Sequence, residues 1–269
     1  MSTADVPFRA ADFRTCLATE GRVIHALLMR EIITRFGRHN LGMLWLIAEP
    51  MMFTLGVAAL WTFGGFSHSS NIPVVPFAVT GYTSVLMWRN TVGRCSIAVL
   101  QNLNLLYHRN VKVIDILITR VILECLGAIG SFIIISSVLV AGGWMPMPED
   151  FLKIVEGLAL LAWFSMGLGL AVGAAASLNE LIDRIWHPLA YVLMPLSGAG
   201  FMLAWLPPTV RSYLQSFPMV HCLELLREGY FGHLVPTYYD ISYVVIFNMC
   251  LTLASLILVR FASRRVEGL

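Results

Sequence analysis

Charged residues are scarce along the whole of this 269-residue chain. They make up 13% of it, against 58% hydrophobic residues, and only two of them are lysines, Lys112 and Lys153. A soluble domain carries about a quarter charged residues. The deficit therefore predicts an integral membrane protein rather than a soluble domain with one anchor. The net charge of +2 gives no indication of nucleic-acid binding.

Several catalytic and metal-binding motifs are also missing. Neither lysine lies in GxxxxGK[ST], so the chain lacks a P-loop and is predicted not to hydrolyse ATP by itself. The five cysteines are scattered without a CxxC pair, which argues against a disulfide framework or a zinc site. The first 40 residues hold no long apolar run, so no signal peptide is predicted. We expect no catalytic residue, metal site or cofactor in this chain.

Six apolar segments dominate the sequence. Each reaches the roughly 20 residues that a helix needs to cross the hydrocarbon core of a membrane, and their composition is that of helices rather than of alternating strands. The predicted fold is an all-α bundle of six transmembrane helices in a single domain, 1–269, with an interfacial part (1–40), the bundle (41–262) and a tail (263–269). The segments are 41–66, 73–99, 114–141, 151–177, 185–206 and 241–261.

The distribution of basic residues predicts the orientation of this bundle. On one side of the bundle, the connecting loops hold only two basic residues, Arg211 and Arg227. By the positive-inside rule, the opposite side is cytoplasmic and holds both termini. The basic residues assigned to that side are Arg9, Arg14, Arg22, Arg30, Arg35, Arg38, Arg109, Lys112, Arg184, Arg264 and Arg265.

Two regions outside the apolar segments have amphipathic patterns. In residues 10–38, apolar side chains from Phe13 to Leu28 share one helical face, which predicts a helix lying at the cytoplasmic interface. A soluble helix packed on a partner has the same pattern. Residues 207–240 contain two amphipathic stretches too short to cross a membrane, 209–216 and 219–231, with Gly232 as the C-cap. They predict a pair of re-entrant or interfacial helices.

Four charged residues within the apolar segments need partners or water, because buried charge is costly in a membrane. Arg120 and Glu124 are four residues apart, which favours an ion pair along one helix. Glu49 is predicted to pair with a base or to face an aqueous path. Arg89, next to Trp88, is predicted either to line a substrate path or to form a structural ion pair.

Further candidates for the substrate path are aromatic or basic. Tyr230 and Phe231 lie in the connection 207–240, whose aromatic residues form an interfacial belt or stack on sugar rings. Arg38, with Arg30 and Arg35, forms a basic rim that suits an anionic lipid headgroup. The positive-inside bias explains the same three arginines without any substrate.

Residues 105–116, LLYHRNVKVIDI, place a polar cluster between two apolar segments. A polar clamp, a metal site and a plain cytoplasmic loop are three interpretations. The predicted topology puts the cluster in the cytoplasm, and a single histidine without a neighbouring Cys, Asp or second His argues against a metal. The cluster consists of Tyr107, His108, Arg109, Asn110 and Lys112.

Several stretches together resemble a known family. MREIITRFGRHNLGMLWLIAEP (29–50) is similar to the motif that leads from the interfacial helix into the first span of ABC-2 type exporter permeases. GYTSVLMWRN (81–90) and LLYHRNVKVIDIL (105–117) resemble more narrowly the permease subunit of bacterial capsular polysaccharide exporters of the KpsM type. LREGYFG (226–232) fits the helices that this family has between spans five and six.

The resemblance implies an inner-membrane exporter subunit that pairs with a second copy of itself. Two copies of a separate cytoplasmic ATPase, which binds ATP and Mg, would drive it, and the loop around 107–112 would dock on that motor. The implied substrate is a lipid-linked acidic polysaccharide. It would pass to a periplasmic co-polymerase and an outer-membrane export protein.

Other functions fit parts of the same pattern. An O-antigen, teichoic-acid-type or small-molecule ABC-2 exporter would have the same topology with a different load. A membrane-bound glycan or lipid transferase would need an acidic catalytic cluster, to which Glu180 with Asp183 is the nearest approach in the sequence. A passive channel or scaffold would not depend on a motor.

Overall fold

All regular structure in the described part of the chain is helical, as the sequence predicts. The computed structural model describes residues 13–36, 41–64, 72–106, 111–234 and 236–266. Short 3-10 turns occur at Leu203–Trp205 and Gly232–Leu234. The α-helices in these ranges are α1 (Phe13–Phe36), α2 (Leu41–Phe63), α3 (Val74–Gln101), α4 (Leu103–Leu106), α5 (Val113–Ala141), α6 (Phe151–Leu178), α7 (Leu181–Leu196), α8 (Pro208–Leu214), α9 (Pro218–Phe231) and α10 (Ile241–Val266).

Helix α3 is at the centre of the bundle and packs against α2, α5, α6, α7 and α9. It is unusually polar for a central helix. The hydroxyl groups of Thr80, Ser84 and Thr91 are buried and donate hydrogen bonds to carbonyl oxygens one turn earlier in the same helix. These internal hydrogen bonds satisfy the buried hydroxyl groups within α3 itself.

Helices α3, α5 and α6 approach one another closely at Gly173. A Cβ atom at this position would lie 2.6 Å from Leu117 Cδ2 and 2.8 Å from the carbonyl oxygen of Cys95. Both distances are shorter than a van der Waals contact. Glycine therefore sets the spacing of the three helices here.

Three described helices, α5, α6 and α10, are long and apolar enough to cross a membrane. Helix α2 adds a shorter apolar stretch, Ile47–Phe63. Helix α10 also exposes an apolar stripe with helical spacing, the arrangement expected of a surface that contacts lipid. The stripe consists of Ile246, Met249, Leu253, Ile257 and Phe261.

The predicted bounds of the fifth apolar segment, 185–206, are wrong. Helix α7 is 16 residues long and ends at Leu196. Pro188 and Pro195 lie inside it and cannot donate backbone hydrogen bonds. Gly198 then adopts a positive φ of 89°, which turns the chain away from the helix axis.

The two short helices predicted in 207–240 are confirmed as helices. They are α8 and α9, and each has a proline, Pro208 or Pro218, in its first turn. Proline suits this position because the first-turn N–H groups have no partner within the helix. Gly232 ends α9 with a φ of 58°, as predicted for its C-cap.

Helix α9 is held against the rest of the bundle by a buried arginine. The Arg227 guanidinium donates hydrogen bonds to the carbonyl oxygens of Gly198 (2.8 Å), Ala199 (2.7 Å) and Phe201 (2.6 Å), which follow the end of α7. It also lies 4.0 Å from the centre of the Phe77 ring. The sequence analysis counted this arginine among the charges of a loop. In the structure it lies in α9, and its side chain is 1% exposed.

A second buried charge of α9 binds backbone on both sides of the helix. The Glu224 carboxylate accepts hydrogen bonds from the N–H of Leu203 and the N–H of Tyr238, each at 3.1 Å. The Tyr230 hydroxyl donates to the carbonyl oxygen of Pro146 at 2.9 Å. Helix α9 thus joins three connecting segments of the chain.

Helix α1 packs on α2 and α5. Its predicted apolar face is divided in the structure. On this face Leu27 is buried, whereas Leu17 is 65% exposed. Beyond it, Glu31 is buried and Ile33 is 53% exposed. One side of α1 therefore contacts the bundle, and the exposed apolar residues remain available to another surface.

Candidate functional site

A polar cavity lies where α2, α3 and α7 meet, and we call it the arginine cavity. It has a volume of about 280 Å³. Both of its arginines come from α3, where positions 89, 90, 93, 94 and 97 share one helical face. The lining includes Glu49, Arg89, Asn90, Arg94, Trp186 and His187.

Two of the predicted path residues lie at this cavity, and a third packs behind it. Glu49 and Arg89 line it directly. The Arg89 guanidinium carbon lies 4.4 Å from the centre of the Tyr191 ring, a cation–π contact. Trp88 is buried behind the wall and packs edge to face on Trp186, with ring centres 6.4 Å apart. The sequence pattern therefore identified one wall of the cavity.

A second polar cavity, of about 320 Å³, lies between α1, α3 and α5. We call it the α1 cavity. Arg94 lines both cavities, so it connects the two polar regions. The lining of the α1 cavity includes Arg30, Glu31, Thr34, Arg94, Gln101 and Arg120.

The predicted ion pair between Arg120 and Glu124 is not the arrangement found. Arg120 pairs with Glu31 of α1 and also donates a hydrogen bond to Gln101 Oε1 at 3.2 Å. Glu124 pairs with Arg94 of α3, with 3.8 Å between Oε1 and Nε. Neighbouring helices supply a buried partner for Arg120 and a partly exposed one for Glu124, and these tertiary contacts replace the pairing along α5.

Lys112 ties the start of α5 to α1. Its ammonium group lies 3.3 Å from Glu20 Oε2, and its backbone N–H donates to Asp115 Oδ2 at 2.9 Å. The Asp115 side chain and the Lys112 charge together hold the pKa of Glu20 below its ordinary value. Together with the Arg120–Glu31 pair, this contact fixes α1 to α5 at two points.

Two further predicted site residues that the structure describes, Tyr230 and Phe231, do not line these cavities. Tyr230 and Phe231 are buried in α9, with their ring centres 5.4 Å apart. Tyr230 lines a separate apolar groove between α5 and α6. Arg38 and the stretch Tyr107, His108, Arg109 and Asn110 lie outside the described residues.

Sequence reasoning missed Arg94 and His187, both of which line the arginine cavity. From the sequence alone, Arg94 has the position of a side chain that extends to the membrane surface, and His187 that of a solvated or packing residue. The helical spacing of Asn90, Arg94 and Ile97 could have identified the shared face of α3. No local pattern marks His187, because α7 reaches the cavity only through the tertiary fold.

Ser96, Asp183 and His187, residue types found together in hydrolase active sites, lie close together beside the arginine cavity. Their order does not suit catalysis. The Ser96 hydroxyl donates to Asp183 Oδ1 at 2.6 Å, and the same carboxylate oxygen lies 3.6 Å from His187 Nε2. A nucleophilic serine needs a base that accepts its proton, usually histidine oriented by the acid. Here the acid separates the serine from the histidine, so the geometry does not activate Ser96.

Comparison with known proteins identifies the family of this chain. The profile of the family described as ABC-2 type transporter matches residues 22–231. The chain belongs to this family. Over 255 residues it is 45% identical to the capsule polysaccharide export inner-membrane protein CtrC of Neisseria meningitidis serogroup B, covering 95% of this chain and 96% of that protein.

Two further relatives also have names that describe polysaccharide export or transport. The capsule polysaccharide export inner-membrane protein BexB of Haemophilus influenzae is 42% identical, with 95% of this chain and 96% of BexB covered. The polysialic acid transport protein KpsM of Escherichia coli is 29% identical, with 88% of this chain and 92% of KpsM covered. The resemblance to permeases of capsular polysaccharide exporters is therefore confirmed.

Proposed function

We propose that this chain is the membrane subunit of an ATP-driven exporter that moves lipid-linked acidic capsular polysaccharide across the bacterial inner membrane. The observation that carries the proposal is the 45% identity to a capsule export protein over nearly the full length of both chains. Similarity of that extent covers the helices and both polar cavities. Each functional copy would act with a second copy of the same chain.

The proposed topology has six spans, α2, α3, α5, α6, α7 and α10, with both termini in the cytoplasm. The length and composition of α5, α6 and α10 support it. The buried polar residues of α3 fit a span enclosed by other helices rather than by lipid. Helix α1 would lie at the cytoplasmic interface, where Leu17 and Ile33 would contact lipid.

Helices α8 and α9 would form the re-entrant pair on the periplasmic side. Backbone that is not in a spanning helix is tolerated at membrane depth only where protein or water satisfies it. The hydrogen bonds of Arg227 and Glu224 to backbone groups meet this requirement. Their burial supports an α9 enclosed by protein.

The two polar cavities would provide an anion-binding surface for the substrate. Arg94 and Arg120 are paired with acidic residues, so part of their charge is already compensated. Arg89 forms no ion pair with any residue that the structure describes, and its guanidinium rests on Tyr191. Within the arginine cavity, a carboxylate or phosphate of the substrate would find its uncompensated partner at Arg89.

Arg89→Ala is expected to lower export by at least fivefold while protein abundance falls less than twofold. The change removes the guanidinium from the cavity but no partner charge is left buried. Surface polysaccharide and membrane protein levels should be measured in the same cells. Arg184→Ala, an exposed arginine of α7, is the matched control. Equal losses of export and abundance at Arg89 would assign it a structural role.

A separate cytoplasmic ATPase would supply the energy, with ATP and Mg bound to that partner. Closure of the motor would push on the loop around 107–112. The contacts Lys112–Glu20 and Arg120–Glu31 would then move α1 and α5 together. The reorientation of these helices would open a path at the interface between the two copies.

The double reversal Arg109→Glu with Lys112→Glu is expected to abolish export while the chain still inserts in the membrane. Two acidic residues would replace two basic ones on the proposed docking surface for the motor. ATPase co-purification and surface polysaccharide are the measurements. Arg264→Glu with Arg265→Glu makes the same charge change in the exposed C-terminal turn of α10 and should leave both unchanged. If the Arg109→Glu, Lys112→Glu variant still exported polysaccharide and still co-purified with the ATPase, the proposed docking role would be contradicted.

Purification from native membranes in mild detergent tests the proposed assembly against its rivals. An ATPase, a periplasmic co-polymerase and an outer-membrane export protein are the expected companions. A passive channel, a scaffold or a glycan transferase would be isolated without the ATPase. An O-antigen, teichoic-acid-type or small-molecule exporter would retain the motor, but loss of the chain would leave capsular polysaccharide on the surface.

A further inference from the structure

Glu49 of α2 and Arg89 of α3 carry opposite charges and line the arginine cavity together. In the described part of the chain, neither side chain belongs to an ion pair. Glu49 lies about 12 Å along α2 from its start, and Arg89 lies about 18 Å along α3 from its end. Charge without a partner is costly at such depth in apolar segments. An acid and a base that share a cavity without pairing leave both charges available to a third group.

The other ionisable side chains of the lining already have partners. Arg94 Nε lies 3.8 Å from Glu124 Oε1, and His187 Nε2 lies 3.6 Å from Asp183 Oδ1. These contacts show that the surrounding helices can place counter-charges at this cavity. The acid and the arginine that lack one therefore point to a ligand that contacts both.

We propose that the arginine cavity is a subsite for one acidic sugar residue of the exported polymer. The carboxylate of that residue binds Arg89, and its hydroxyl groups donate hydrogen bonds to Glu49. This assignment rests on the proposed function and deepens it, because it names the part of the substrate that the cavity recognises. It also makes Glu49 a residue that determines specificity.

Arg89 is available to bind a carboxylate. Its guanidinium carbon lies over the Tyr191 ring, 4.4 Å from the ring centre, and this contact uses no hydrogen bond. In the described part of the chain, the five N–H donors of the guanidinium have no acceptor. A planar guanidinium binds a carboxylate through two parallel hydrogen bonds. The carboxylate of a sugar acid would satisfy these donors and compensate the charge.

Glu49 favours hydroxyl groups beside that carboxylate. An ionised carboxylate only accepts hydrogen bonds, so it attracts O–H donors and repels a second anion. A sugar acid carries its donors and its anion on one ring. A phosphodiester in a lipid link, or a simple carboxylate, offers the anion without the donors. The two charges together therefore favour a sugar acid by attraction and disfavour a bare anion by repulsion.

The rest of the cavity suits a single sugar unit. Its volume of about 280 Å³ is close to the lower limit of small-molecule pockets, about 300 Å³. Asn90 adds an amide that both donates and accepts hydrogen bonds. Glu49 and His187 are exposed, so the cavity is open on one side. The neighbouring units of a polymer can continue out of the cavity there.

Binding of small probes to the purified full chain tests the proposal without transport. The chain is placed in nanodiscs, and the affinities of glucuronate, acetate, glucose and inorganic phosphate are measured by saturation-transfer NMR. We expect glucuronate to bind at least tenfold more tightly than each of the other three. Arg89→Ala should lower the glucuronate affinity at least tenfold, to the level of glucose.

Glu49→Ala tests the specificity directly. It removes both the acceptor for hydroxyl groups and the repulsion of a bare anion, so the ratio of glucuronate to acetate affinity should fall at least fivefold. Glu49→Gln keeps an acceptor oxygen and should give an intermediate ratio. Glu156→Ala removes an exposed acid of α6 outside the cavity and should leave the ratio unchanged. Because the readout is a ratio, partial loss of folded protein does not alter it.

Several results would overturn the proposal: a wild-type chain that binds none of the probes, equal affinities for acetate and glucuronate, or a ratio that Glu49→Ala leaves unchanged. A glucuronate affinity that Arg89→Ala leaves unchanged would overturn it as well. Tighter binding of phosphate that depends on Arg89 would assign the cavity to a phosphate of the lipid link instead. Failure of the export proposal is detected separately, because gene deletion would then leave the surface coat unchanged whatever the probes show.

Discussion

Arg227→Met is expected to remove at least nine-tenths of the folded protein. The guanidinium is fully buried and donates to the carbonyl oxygens of Gly198, Ala199 and Phe201. Methionine has a similar length but donates no hydrogen bond, so three buried carbonyl groups would lose a charged partner. Losing one member of a buried charged network costs about 3–5 kcal/mol, a large part of a typical stability of about 5–15 kcal/mol.

The measurement is the monodisperse fraction of a fluorescent fusion in detergent. Arg211→Met is the matched control, because Arg211 also donates to carbonyl oxygens, those of Leu203 and Leu206, but is only half-buried. We expect the control to lose less than half of its folded protein. If Arg227→Met were as stable as Arg211→Met, the buried arginine would not be what holds α9 in place.

Reversing the charge of either Glu31 or Arg120 is expected to lower export at least tenfold, and exchanging the two residues is expected to restore at least half of it. Both side chains are buried where α1 meets α5. Each single reversal places like charges together in a site of low polarity, which is strongly destabilising. The exchange Glu31→Arg with Arg120→Glu restores an ion pair with opposite polarity.

Export and membrane abundance in the wild type, both single variants and the exchange form a double-mutant cycle. Arg22→Glu is the control on α1, because Arg22 is exposed and donates a hydrogen bond to Thr19 of the same helix. It should change abundance little. An exchange variant as inactive as the single variants, despite normal abundance, would show that the pair does more than hold α1 to α5.

The helices and their order could be predicted from the sequence because apolar runs and proline positions are local signals. The bounds of α8 and α9 agree with the predicted stretches within one or two residues, and Gly232 ends α9 as expected. The fifth segment was overextended because residues 197–206 are as apolar as a span. Their turn depends on Gly198 and on the hydrogen bonds of Arg227, which come from a distant part of the chain.

The charge partners could not be predicted for the same reason. The spacing of Arg120 and Glu124 indicated a pair within α5, but the fold brings Glu31 and Arg94 close enough to replace it. Arg211 and Arg227 counted as loop charges, although both bind backbone carbonyl groups. A pattern along one helix cannot indicate which side chains other helices will contribute.

The candidate site could be predicted in part. Glu49 and Arg89 are candidates because charges in apolar segments are costly, and both line one cavity. Trp88, the neighbour of Arg89, is buried behind the wall of that cavity. Tyr230 and Phe231 were chosen for their aromatic character, which does not distinguish a substrate path from core packing, and they lie in α9 away from that cavity.

The location of the acidic polysaccharide in cells that lack this chain tests the proposed function most directly. The gene is deleted in the native bacterium, and the polymer is quantified on the cell surface and in the cytoplasm, with the wild-type gene restored on a plasmid as the control. We expect the surface coat to disappear, the polymer to accumulate in the cytoplasm, and the plasmid to reverse both effects. An unchanged surface coat in the deletion strain would contradict the proposal that this chain exports capsular polysaccharide.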